Sequence, residues 1–165
     1  SGGNGGWNVE QNPLFCVEAG QIDPDEPNFW CDPSNPVGCT PAAYYPRNRD
    51  GRGMNWAWGS MSMTAVHTIR PPNSEVCFHG WHDNVGTCPP SSRHQGGAHI
   101  LMGDGAVIFI TDSIESGDQK APTIGARFVA PTDVPWMPGK KSPYGLWGAL
   151  GSRGAKETIE EQLNQ

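Results

Sequence analysis

Apolar residues are spread unevenly along the chain, and only a few stretches space them with a regular period. The clearest is Ala98-His99-Ile100-Leu101-Met102, then Gly103-Asp104-Gly105, then Ala106-Val107-Ile108-Phe109-Ile110-Thr111. Two such runs joined by an Asp-Gly turn predict a β-hairpin, because glycine tolerates the positive φ that these turns require. Both faces of the second run are apolar, which places the hairpin centrally in its sheet and covers it on both sides. From Met61 to Arg70 the sequence alternates and is rich in β-branched residues, predicting a further strand that Pro71-Pro72 ends. Asp112-Ser113-Ile114-Glu115 has the form of a short capped turn. At Ser142-Pro143 a helix is predicted to start, with Ser142 as N-cap and Pro143 at the first helical position, running through Leu150 and closed by Gly151. A last amphipathic stretch runs from Ala155 to Leu163, with Ile159 and Leu163 four residues apart.

Elsewhere the pattern is that of loops. Residues 1–60 show almost no periodicity, and the runs 21–27 and 31–39 are dense in turn formers, so an extended loop pinned by aromatics and a bridge is expected there. Residues 117–141 form a second Gly/Pro-rich excursion. Composition agrees: 22 Gly and 16 Pro with only 17% charged residues exclude a helical bundle or coiled coil. Seven Trp, three Tyr and five Phe supply enough apolar area to order the chain, which argues against disorder. The expected architecture is therefore a single α+β, β-dominated domain over residues 1–165. It has an antiparallel sheet around a central hairpin at about 98–111, long disulfide-stapled loops and short C-terminal helices. Residues 1–60 are read as a loop-rich extension of a core at 61–165.

The charge balance, 11 Lys+Arg against 17 Asp+Glu for a net −6, disfavours nucleic acid as a partner, since neutralising phosphates takes a basic surface. The one basic cluster, 47–53, reads as a solvated Gly-rich loop. The longest uninterrupted aliphatic or aromatic run, Ala106 to Ile110, falls far short of the roughly 20 residues that span a bilayer. Five cysteines without a CxxC pair fit no usual zinc framework and suggest disulfides in an oxidising compartment. Cys77 with Cys88 and Cys31 with Cys39 are the candidate bridges, each worth roughly 2–3 kcal/mol on the loop-closure model. Cys16 is then left over as a free buried thiol, a member of a shuffled pair, or a cysteine whose partner lies outside the chain.

Four blocks in order resemble a known family. His94, nine residues, then Asp104-Gly105 form an H-x9-D-G pattern. It is preceded by Pro71-Pro72-Asn73-Ser74 and by Cys77 and Cys88, and followed by 109–114 and the terminal 142–153. Over about residues 56–160 the chain resembles the planctomycete pilin-like family with a prepilin-type N-terminus, similar to the major pseudopilins of type II secretion. The resemblance implies a pseudopilin-like head domain and a structural, non-enzymatic role as subunit of an exported filament or type II secretion/type IV pilus-like assembly. Its partners would be copies of itself or other pilin-like subunits, at a periplasmic, cell-surface or extracellular location. The family's N-terminal processing site and long apolar helix are not in this sequence, so the likeness is to the C-terminal globular portion. Membrane contact is expected only through that missing helix.

His94, Asp104 and Gly105 are read as structural, with His94 bonding backbone and Asp104 closing an Asx-type turn. By analogy with the pseudopilins, calcium is the one cofactor considered, with Asp112, Glu115 and Asp118 as oxygen donors and Asp23, Asp25 and Glu26 as a second acidic segment. His79, His82 and Asp83, inside the 77–88 loop, read as an accidental polar cluster. No Gly-x-Ser-x-Gly elbow, paired-carboxylate cleft or His-Glu-x-x-His helix is present, and no enzyme activity is expected. The alternative is an extracellular glycan-binding module stacking sugar rings on exposed Trp56 and Trp58.

Overall fold

The computed structural model describes residues 8–26, 29–41, 57–59, 61–78, 85–123 and 140–152. The amphipathic stretch predicted at 155–163, the basic cluster at 47–53 and most of the 117–141 excursion lie outside them. The described elements make a small α+β fold. In chain order these are α1 (Asn8–Gln11), α2 (Phe15–Glu18), α3 (Met61–Thr64), β1 (Cys77–Phe78), β2 (Gly86–Thr87), β3 (Gly97–Leu101), β4 (Val107–Thr111) and α4 (Gly145–Leu150). Two separate two-stranded antiparallel sheets form, β1 with β2 and β3 with β4.

The N-terminal region is more structured than its sequence suggests. Asn12 ends α1 by accepting the Leu14 N–H on its side-chain oxygen at 3.0 Å. One turn later α2 closes in a Schellman arrangement: Gly20, at φ +64°, donates to Val17, and Gln21 donates to the Cys16 carbonyl at 2.9 Å. Single turns of four residues are not stable in isolation. These two are held because Val9 and Cys16 are fully buried with Cys77, and Phe15, Ile22 and Trp30 pack against that cluster. Packing therefore joins the N-terminal segment to the part of the chain beyond residue 60. An isolated bridge between Ile22 and Trp30 closes the loop that follows, and Cys31–Cys39 staples the next one.

The cysteine pairing corrects one expectation. Cys77 bonds Cys16, 61 residues away, and not Cys88, which is buried and lies in neither disulfide. The β1–β2 register explains why: Cys77 faces Thr87, so Cys88 falls one position past the residue opposite Cys77. Side chains alternate faces along a strand, which turns Cys88 away.

The strand predicted over Met61 to Arg70 is also absent. Its first four residues form α3, and the rest is irregular, with Met63 buried but Val66 50% exposed. A strand needs a neighbour; among the described residues no strand pairs with this stretch, and the His67 N–H donates to the Cys88 carbonyl at 2.8 Å. The C-terminal helix is present but starts at Gly145, two residues later than the Pro143 start expected. Ser142 instead accepts the Tyr144 N–H across an ST-type turn at 3.2 Å, and Gly145 takes φ +57°.

The β3–β4 hairpin spans 97–111, with Ala98 opposite Ile110 and His99 opposite Phe109. Its setting differs from the covered, central one expected. Ala98 and Ile110 are buried on one face, whereas Leu101 is 72%, Val107 63% and Phe109 43% exposed on the other. Gly97 lets the Phe109 ring lie across it: a Cβ there would sit 2.8 Å from Phe109 Cζ and closer still to the Ile110 carbonyl. Gly97→Ala is accordingly expected to lower stability by about 1–3 kcal/mol, read by urea unfolding, since backbone has to shift to admit the methyl.

Candidate functional site

The polar residues singled out by sequence fall at the two ends of the hairpin and in the loop after it. Asp104 sits in the tip turn, where its Oδ1 accepts the Ala106 N–H at 2.9 Å and Gly105 takes φ +92°. His94 is exposed three residues before β3, and its N–H donates to Ser92 Oγ at 3.1 Å. A five-residue strand at about 3.3 Å per residue separates them, so within one chain they share no site. His99, between them, packs its ring edge against Phe109 with centroids 5.1 Å apart.

The three carboxylates considered for calcium are each committed elsewhere. Asp112 accepts from the Asn73 amide at 2.8 Å. Glu115 accepts the Gly117 N–H on Oε1 at 2.7 Å and the Leu146 N–H on Oε2 at 2.6 Å. Asp118 accepts the Lys120 N–H at 3.0 Å. Among the described residues no group of three or more His, Cys, Asp or Glu is gathered to hold a metal ion, so Asp112, Glu115 and Asp118 do not come together as a ligand set. Asp23 spends its Oδ1 on the Asp25 and Glu26 N–H groups in a turn of its own. His79, His82 and Asp83 lie outside the described residues, as does Trp56; Trp58 is 47% exposed.

What these acids build is a joint. Glu115 caps α4 from a distant loop, since its carboxylate takes the Leu146 N–H and its carbonyl takes the Trp147 N–H at 3.0 Å. Trp147, 1% exposed, donates its indole N–H to the Arg70 carbonyl at 2.7 Å. The Arg70 guanidinium in turn pairs with the buried carboxylate of Glu75, Nη2 to Oε2 at 2.8 Å, and donates to Gln119, whose amide reaches Ser116 at 2.7 Å. Asn73, in the left-handed region at φ +60°, accepts the Ser92 N–H at 2.8 Å while its amide reaches Asp112. Four chain segments thus meet on one polar network. None of it is announced locally, since every contact links residues far apart in sequence apart from Arg70–Glu75 and Ser116–Gln119.

Tyr144 closes the same region. It is 3% exposed, and its hydroxyl is within hydrogen-bond reach of the Ala121 and Pro122 carbonyls at 2.9 and 3.1 Å. Burial, and secondarily the charge of Asp118, pushes its phenol above the ordinary tyrosine value. A raised pKa favours the neutral form in the folded state, so this stability is whole below the unfolded value of about 10 and is lost as pH rises beyond it. Melting temperature should fall steeply above about pH 10 in the native chain and less steeply in Tyr144→Phe.

The family model SBP_bac_10, described as protein of unknown function (DUF1559), matches residues 4–117, more than two thirds of the chain. The chain belongs to the DUF1559 family. The match takes in α1, α2, both disulfides and both sheets, and so begins well before residue 56, where the resemblance read from the sequence starts. No curated protein and no solved structure matches the chain. Two disulfides suit an oxidising, non-cytoplasmic compartment. Among the described residues, no helix is long and apolar enough to cross a membrane.

Proposed function

We propose that this DUF1559 chain is a non-enzymatic structural subunit, pseudopilin-like, of an exported filament or type II secretion/type IV pilus-like assembly at the cell surface. The observation that carries the reading is the DUF1559 match over residues 4–117, which is compatible with a pilin-like protein. The disulfide-stapled fold supports it, because a fold held by bridges suits an exported part. So does the disposition of polar groups: the acids on the hairpin and the loop after it are spent on backbone N–H groups and on holding segments together. Partners are copies of the chain or other pilin-like subunits, at a periplasmic, surface or extracellular location. The filament reading requires that the parent gene begin with a prepilin leader and an apolar helix. An ordinary secretion signal with no such helix would overturn it.

One observation favours the second reading, an extracellular glycan-binding module: Trp58 leaves about half its surface open. A glycan array separates the two. A structural subunit leaves the array blank, while binding abolished by Trp56→Ala and Trp58→Ala establishes the module.

A further inference from the structure

Met102 donates to the Ala106 carbonyl at 2.8 Å, and Asp112 donates to the Gly96 carbonyl at 2.9 Å, one bond at each end of the hairpin ladder. Antiparallel pairs alternate, so Ala98–Ile110 and Ile100–Ile108 are the hydrogen-bonded pairs between. The backbone groups of His99 and Leu101 therefore turn outward from β3. These residues also carry exposed side chains on the uncovered face, continuous with Val107 and Phe109. Among the described residues β3 has no neighbouring strand but β4, and its edge is touched only at its first residue, where the Asn73 amide lies 3.4 Å from the Gly97 carbonyl. Strand edges in stable proteins are commonly guarded by lysine, proline or a bulge. Gly97-Ala98-His99-Ile100-Leu101 has none of these.

We propose that the outer edge of β3 docks a second copy of this chain as an antiparallel strand, about a two-fold axis at His99. Charge selects the partner and the register. His94 and Asp104 lie five residues to either side of His99, so this pairing sets His94 of each copy against Asp104 of the other, with Arg93 beside it. All three are exposed at the hairpin's ends. Two copies of a chain with net charge −6 repel in general, and at each end of this edge the positive charge is that of Arg93, next to His94 and facing the Asp104 end of the other copy, while β3 itself carries no acidic or basic residue beyond His99. His99 then exchanges its two outward backbone bonds with His99 of the second copy, and Gly97 faces Leu101 of the second copy. Gly97 is buried beside Asn73, so this second pair of bonds forms only as that end of the edge opens toward Leu101 of the second copy. The two hairpins become one four-stranded sheet with a continuous apolar face. The nine-residue interval between His94 and Asp104, which brings nothing together inside one chain, becomes the spacing that matches the two ends of the pair.

The proposal rests on the self-association in the reading above but needs no filament. A five-residue strand is a small interface, so the pair is weak and concentration-dependent. Sedimentation velocity from roughly 10 μM to 1 mM chain is expected to show a dimer fraction that grows with concentration. His99→Pro removes the outward N–H and leaves every ladder bond of the hairpin in place, so the chain should still fold cooperatively, at a melting temperature lowered by the lost His99–Phe109 contact, and stay monomeric. His94→Asp should weaken the dimer severalfold, and His94→Asp with Asp104→Lys should recover it. Amide exchange at His99 and Leu101 gives a reading independent of the variants, with protection appearing only as the dimer forms. A monomer throughout that range, a dimer that His99→Pro leaves intact, or protection of these amides in the dilute monomer overturns the proposal. A negative result combined with recovery of the native chain in a surface assembly refutes this contact alone and leaves the subunit reading standing.

Discussion

Replacing Cys16 and Cys77 together by serine will lower the stability of the folded chain by about 4 kcal/mol on the loop-closure model, whereas Cys31→Ser with Cys39→Ser will cost about 2.5 kcal/mol. The difference follows from the closed loops, 61 residues of sequence separation against 8. It should exceed the entropic estimate in its consequences, because Cys16 sits on a single helical turn that is not stable in isolation and depends on packing against Cys77. Losing the bridge releases Val9, Phe15 and the Ile22–Trp30 loop from the shared core. Urea unfolding of the two double variants measures both values. Non-reducing peptide mapping checks the pairing itself: a peptide joining Cys16 to Cys77 is expected, with Cys88 alkylated only after unfolding, and a Cys77–Cys88 peptide would contradict the fold.

The second large effect is expected at Trp147. Trp147→Ala should cost about 3–5 kcal/mol, because truncating a buried aromatic leaves a cavity that the surroundings fill only in part. The side chain is 1% exposed and its indole is the donor to the Arg70 carbonyl. Trp147→Phe keeps much of the apolar contact but removes that donor, and should cost about 1–3 kcal/mol for the carbonyl left unsatisfied. Thermal melts of the two variants separate packing from hydrogen bonding. Equal losses would show that the Trp147–Arg70 bond, and not the volume of the ring, holds α4 in place.

The parts of this fold that sequence reveals are those whose cause is local. The hairpin at 97–111 is legible because Asp104-Gly105 demands a turn and the flanking residues are β-branched and aromatic. Periodicity shows that His99, Leu101, Val107 and Phe109 share a face, but not whether anything lies upon it; the apolar character of both faces of β4 suggested a cover that the described residues do not supply. Cys31–Cys39 is legible because a turn-rich stretch brings its ends together. Cys16–Cys77 is not, because it depends on α1 and α2, which at four residues each are too short to show a period. Glu115 reads locally as part of a turn, yet its side chain caps a helix 31 residues on. The alternation from Met61 to Arg70 misleads for the same reason in reverse, since a pattern suited to a strand stays irregular where no neighbouring strand is present. For the candidate site, Asp104 and Gly105 were legible as a turn, while the Arg70–Glu75–Gln119 network was not, being assembled from segments that only folding brings together.

The subunit account is tested most directly by shearing the surface of cells that make the full-length protein and following this chain with an antibody to its folded domain. The account predicts recovery in a high-mass sheared fraction, with the antibody decorating the same assemblies on intact cells. Recovery of the chain only as a dispersed monomer, with nothing decorated at the surface, would contradict it.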